Sequence, residues 1–267
     1  MKSTVIQSCH LGPDISPEHA IEEHFFIALL KGSLDAYNGY KNYHLEPGGY
    51  CIARKNHLLR YSKHKEDGDF QKIVIVLDEP FLKNFLKKHP ASVRVPENED
   101  PIFFIEDNKL LQSFILSLEP YYTGEAEIDK TFSDLKREEL LLILLRKDPE
   151  LINVLFDFGI PQKIDLREFM NRNFRFNISL DRFAFLTGRS LSTFKRDFQN
   201  LFKETPGHWL TRKRLEEAYF LIQNQNLKPG DIYTDLGFED FSHFSFAFKK
   251  RFGHSPSDIL KEQNTPD

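Results

Sequence analysis

Cysteine is scarce in this chain: 267 residues hold only Cys9 and Cys51. Two isolated thiols cannot form the disulfide framework of a small secreted domain, nor a C-x-x-C redox or zinc pair. They read as reduced, buried thiols of a cytoplasmic protein. Long apolar runs are missing too. The longest, 140–145, falls far short of the ~20 residues that span a bilayer, and no charged-then-apolar leader opens the sequence. No membrane partner is expected. Signatures of catalysis are equally absent, with no nucleophile elbow and no glycine-rich phosphate loop. His10, His19, His24, His44, His57 and His64 are scattered, without the H-x-H and following glutamate of metal-binding cupins. Glu22 and Glu23 are adjacent, so on a strand they face opposite sides and cannot work as a carboxylate pair. The expectation is a protein that is not an enzyme and has no cofactor and no metal.

A strong charge of one sign is the last absence, and it hides a polarity. Net charge is −4 overall, which at first argues against a polyanionic partner. Its distribution says more: residues 1–164 carry −6 and residues 165–262 carry +3. Phenylalanine is abundant. Of 26, 15 lie within 165–262, as small helical units require when they fill their cores with few large side chains. With 40% hydrophobic and 28% charged residues, the length suits two folded domains.

Residues 231–260 organise the second half. Pro229 suits a first helical turn, and Ile232 and Leu236 recur at i and i+4, which predicts a helix of about two turns. Gly237 then allows the left-handed residue that ends it. Asp240 or Ser242 can cap a second helix on which Phe241, Phe244, Phe248 and Phe252 form a buried stripe, while Ser242, His243, Ser245, Lys249 and Arg251 face away. Gly253 and Pro256 are expected to end it. This is a helix-turn-helix. An isolated one could equally be a helical hairpin with a solvated basic face, but a second copy lies upstream. Ser179 caps a helix with Leu180, Phe183 and Ala184 inward; Gly188 turns; Ser190 caps a helix striped by Phe194, Phe198 and Leu201. Ser192, Thr193, Lys195, Arg196, Gln199 and Asn200 face out. Between the copies, 206–225 reads as one helix with Trp209, Leu210, Leu215, Ala218, Leu221 and Ile222 on one side and Arg212, Lys213, Arg214, Glu216 and Glu217 on others. Its stretch 207–224 is roughly 27 Å long, against about 34 Å between major-groove openings on one side of B-DNA. Such a rod can hold two recognition helices in adjacent turns of the groove.

The series Arg214, Leu215, Ala218, Leu221, Ile222, then Leu236-Gly237-Phe238, then Ser242, Phe244, Phe248, Lys249, Lys250, Gly253 and Pro256 resembles the DNA-binding domain of the AraC family of bacterial transcription regulators. The resemblance covers about 165–261. It implies a first recognition helix presenting Ser192, Lys195 and Arg196 to the major groove, and a second presenting Phe241, Ser242, Ser245 and Phe246. Three positions depart from the family pattern: Phe246 replaces arginine or another polar residue, Tyr233 an alanine, and Lys203 a glycine after the first recognition helix. By residue type and position, Arg189, Arg212, Lys249, Lys250 and Arg251 are phosphate candidates.

In the first half, short segments alternate with glycine and asparagine turns: 24–30, 34–37, 40–45, 50–53 and 73–77 predict antiparallel strands in a small barrel or sandwich. Pro47-Gly48-Gly49 before an apolar strand resembles the turn of cupin-like sensor domains. Helices are predicted at 81–88, at 108–118 with Leu110, Leu111, Phe114, Ile115 and Leu118 on one face, and at 128–147. That last helix combines Ile128, Phe132 and Leu135 with the run 140–145, which is apolar all round and should be buried on more than one side, by the barrel on one face and a partner subunit on the other, or else entirely within one chain. Residues 90–101 read as a loop, and 159–162 as a linker.

The expected fold is therefore α+β in two domains. Residues 1–158 form an N-terminal regulatory domain, a cupin-like antiparallel β barrel (about 5–80) followed by dimerisation helices (about 81–158). Residues 162–262 form an all-α domain with two helix-turn-helix units joined by a long helix. The partners implied are double-stranded DNA, a second copy of the chain through helices in about 108–158, a small-molecule or protein effector at the first domain, and RNA polymerase. The alternative reading is a cupin-like sensor or enzyme whose helical domain serves protein interaction.

Overall fold

A computed structural model describes residues 6–8, 20–94, 100–122 and 130–263. The chain divides into two compact units, one running through Gly159 and one starting at Ile160.

In the first unit, strands β1 (Ile6–Ser8), β2 (His24–Lys31), β3 (Ser33–Tyr37), β4 (Asn42–Leu45), β5 (Tyr50–Ala53), β6 (Arg60–His64), β7 (Gln71–Leu77) and β8 (Ile102–Ile105) pair antiparallel throughout. They form a five-stranded sheet ordered β1-β7-β2-β5-β8 and a three-stranded sheet ordered β4-β3-β6. Alternate side chains of a strand face opposite sides, and both sides of the larger sheet are covered. Phe26, Ala28, Tyr50, Ile52, Ile73, Ile75 and Leu77 pack on helical residues including Leu82, Phe85, Phe114, Leu140 and Leu144. The intervening Leu29, Cys51 and Ala53 meet Leu34, Ala36, Tyr43 and Leu45 of the smaller sheet. Gly32 (φ 78°) is where the chain steps from one sheet to the other; a Cβ there would lie 2.5 Å from the His64 carbonyl oxygen.

The helices of this unit are α1 (Glu79–Lys88), α2 (Lys109–Leu116), α3 (Glu119–Tyr122), α4 (Lys130–Lys147) and α5 (Leu151–Leu155). Asn108 caps α2 by accepting from the Leu111 amide at 3.0 Å. One expectation about their faces is corrected: Leu110 points to solvent instead of joining Leu111, Phe114, Ile115 and Leu118 in the core. In α4, Phe132, Leu135 and Leu142 are exposed. Only Leu140, Leu141 and Leu144 of the apolar run are fully buried among the described residues, because α4 lays one face in the core under the sheet and turns Leu142 outward. Ile128 and Cys9 lie outside the described residues. Cys51 is buried between the sheets, and burial pushes its thiol up to about 12. Strands β1, β6 and β8 and helices α3 and α5 have no counterpart among the predicted segments, and β8 follows directly on the predicted loop 90–101.

The second unit consists of α6 (Leu166–Asn173), α7 (Leu180–Leu186), α8 (Leu191–Phe202), α9 (Pro206–Gln225), α10 (Pro229–Ile232), α11 (Phe241–Phe252) and α12 (Pro256–Gln263). Side chains of Asp165, Ser179, Ser190 and Asp240 each accept the backbone N–H three residues on, satisfying donors that a helix start leaves open. Phenylalanines fill two cores. Phe194, Phe198, Phe202 and Trp209 stack in one, and Tyr219, Phe244, Phe248 and Phe252 in the other. Two details differ from expectation. Helix α10 is a single turn followed by hydrogen-bonded turns to Gly237, in which the Leu236 amide still donates to the Ile232 carbonyl at 3.0 Å, and Pro256 starts α12, whose first turn tolerates proline.

Candidate nucleic-acid interface

Each recognition helix is aimed by a glycine corner that admits no side chain. Gly188 (φ 65°), between α7 and α8, would place a Cβ 2.4 Å from the Gln162 carbonyl carbon. Gly237 (φ 82°), between α10 and α11, would place one 2.6 Å from the Arg175 carbonyl oxygen and 2.8 Å from Cζ of Arg214. Arg214 is itself a staple missed by sequence reasoning, which put it on the outer side of α9. Its guanidinium donates to the carbonyls of Phe174 (2.7 Å), Phe176 (2.8 Å) and Gly237 (2.8 Å). Burial lowers its pKa to about 10, so it still carries its charge at neutral pH. The signal available for it was its place at the head of the R-L-x-x-A-x-x-L-I series.

On α8, Phe194 and Phe198 are completely buried while Ser192, Lys195, Arg196, Gln199 and Asn200 are exposed. The Arg196 side chain is 70% exposed and lies 3.5 Å from Asp197. On α11, Phe244 and Phe248 are buried, Ser242, Phe246, Lys249 and Lys250 are exposed, and Ser245 is half-buried. Phe241, expected both in the apolar stripe and on the reading surface, straddles the two: it is 38% exposed, with its ring 5.5 Å from Tyr233 and 5.9 Å from Phe244. Tyr233 thus fills the corner where the family pattern has alanine.

The five phosphate candidates separate into two groups. Lys249 and Lys250 project into solvent. Arg189 is corrected: its side chain is only 7% exposed, and its guanidinium donates to the carbonyls of Ile164 (3.0 Å) and Thr187 (2.6 Å) and to Asp197 (3.2 Å). It therefore fastens the segment entering the unit to the first helix-turn-helix. Arg212 lies between Glu204 and Glu216, and Arg251 donates to Glu216 at 2.6 Å. Those two cations are already matched by carboxylates; hydrogen bonding from Arg212 holds the Glu204 carboxyl below its usual range.

Comparison with known proteins decides what this arrangement belongs to. Residues 24–154 match the model of the ExsA N-terminal regulatory domain, and residues 183–262 match that of a helix-turn-helix domain. The chain is 26% identical over 258 residues to the HTH-type transcriptional regulator ExsA of Pseudomonas aeruginosa, covering 94% of this chain and 91% of that one. The chain belongs to the AraC family. A second AraC-type relative, the thermoregulatory protein LcrF of Yersinia pestis, is 25% identical over 252 residues, 91% of this chain and 92% of that one. Among solved structures, apo ToxT from Vibrio cholerae aligns over 96% of both chains with 14% identity and a TM-score of 0.45. As an AraC-type transcription regulator, the chain pairs an N-terminal regulatory domain containing an antiparallel sheet with a helical DNA-binding domain. Among the described residues, no helix is long and apolar enough to cross a membrane, and no group of His, Cys, Asp or Glu is arranged to hold a metal ion.

Proposed function

We propose that this regulator binds specific double-stranded DNA sites by laying α8 and α11 in adjacent turns of the major groove. One observation carries the reading: both helices hold fully buried phenylalanines on one side and a polar or basic surface on the other, and α9 between them has 20 residues. Its ~30 Å length is close to the ~34 Å groove repeat. Lys195 and Arg196 read bases, the arginine fork suiting guanine O6 and N7 together, while Ser192, Ser242 and Ser245 add hydrogen bonds. Lys249 and Lys250 grip phosphates, and Arg212 and Arg251 join them where phosphate replaces Glu216.

In this reading residues 162–262 are the DNA-binding domain and residues 1–158 the regulatory one. The exposed stripe of α4, within 108–158, pairs two copies. A small molecule or a protein partner acts on the regulatory domain by binding its two states unequally, and RNA polymerase is the downstream partner. The chain works in the cytoplasm and catalyses no reaction.

The test is selection of bound fragments from sheared genomic DNA by the full chain, repeated with Arg196→Ala and Lys250→Ala. The first variant should lose about 1–3 kcal/mol of discrimination at one base position. The second should weaken all sites alike and lower the salt slope by about one phosphate contact. Unchanged binding by both variants would refute this assignment of the helices.

A further inference from the structure

Phe246 has no evident structural employment. It sits two residues from each of the fully buried Phe244 and Phe248, so about 200° around the helix from both, on the side of α11 farthest from the core. Its side chain is 70% exposed, although a phenylalanine ring normally gains from burial. Tyr233, Phe238, Phe241, Phe244, Phe248 and Phe252 all make ring contacts in this half of the unit; Phe246 makes none among the described residues. Position and surroundings say what it is for. Ser242 lies one turn before it and Lys249 and Lys250 one turn after, all exposed, so the ring stands between a hydrogen-bonding hydroxyl and two cations on a capped helix. A protein-binding aromatic would be served by an apolar rim; this one is flanked by groups that suit a polyanion.

In the major groove of DNA, the only apolar group that identifies a base is the 5-methyl of thymine. From this we infer that Phe246 makes α11 a reader of thymine, recognising the 5-methyl group by apolar contact where a polar residue would seek a hydrogen bond. This inference rests on the proposed docking of α11 in the groove and adds the base class it selects. Discrimination then comes from a methyl removed from water, and Lys249 and Lys250 hold the register that brings the ring to it. The half-site under α8, read by Lys195 and Arg196, has no such dependence.

The experiment uses the full chain and the duplex enriched by selection. Each thymine of the site is replaced in turn by deoxyuridine, which removes only the 5-methyl and keeps the base pair. The wild-type chain should lose about fourfold in affinity at one or two thymines of one half-site, the scale of burying one methyl-sized group. Phe246→Ala should bind the thymine and deoxyuridine duplexes equally, and it should retain both its salt dependence and its response to changes in the other half-site. The ring is exposed, so the variant should fold as the wild type does. If no thymine is sensitive, or if the sensitivity survives Phe246→Ala, the inference fails while groove binding stands. If the wild-type chain enriches no sequence at all, the docking reading fails with it.

Discussion

Arg214 concentrates in one side chain the problem of holding a helix-turn-helix corner. The carbonyls it satisfies belong to Phe174, Phe176 and Gly237, distant in sequence and brought together only by the fold. Removing it leaves buried acceptors unmet, and leaving such groups unmet costs more than the net value of the bonds. Arg214→Met should therefore lower stability by about 2–4 kcal/mol, measured as a fall in the urea midpoint. Arg214→Lys should recover less than half, since an ammonium cannot reproduce a planar fork that meets three fixed acceptors. A loss of under about 0.5 kcal/mol for Arg214→Met would show that the corner is held by something else. Sequence alone put Arg214 outside because charged side chains usually are exposed. Arg189 misled in the same way. Composition and position mark a cation as available, whereas its carbonyl partners become visible only in three dimensions.

At the scale of elements, legibility followed the number of independent signals. Helices α7, α8, α9 and α11 each combine a 3.6-residue stripe with a cap or a turn-forming residue, and they form where expected. Strand β6 carries Arg60, Ser62, Lys63 and His64, polar on both faces, and gains its place only by pairing with β3. Strand β8 is four residues long and owes its existence to β5. Helix α12 was hidden because Pro256 serves as readily to start a helix as to stop one. The end of α8 offers a test. Lys203 closes it in the left-handed conformation, φ 62°, which costs an L-residue roughly 1–2 kcal/mol that glycine avoids, less the entropy that glycine loses on folding. Lys203→Gly should stabilise the protein by about 0.5–1 kcal/mol, read as a higher melting temperature. A lower one would mean that the lysine side chain contributes more than its backbone costs.

For the whole molecule, the charge polarity was legible and the pattern of burial on α4 was not. Periodicity cannot tell a helix face covered by its own chain from one kept for another chain, because both demand apolar residues. Phe132, Leu135 and Leu142 recur at three- and seven-residue steps along one side of α4, with Leu135 58% exposed, while α2 leaves Leu110 and Leu116 in solvent. Exposed apolar side chains arranged in a stripe are characteristic of an interface, and an identical stripe on a second copy can meet it across a two-fold axis. A stable pair needs about 800 Å² per partner, a surface to which Leu110 and Leu116 of the same unit can also contribute. Leu135→Glu places a charge in the middle of that surface without disturbing the fold, since the position already faces water. Sedimentation should give a dimer for the wild type and a monomer for the variant at the same micromolar concentration. Affinity for a tandem site should fall in the variant, while that for a single site should not. A variant that stays dimeric would move the interface off α4, leaving the exposed stripe to an effector or to RNA polymerase.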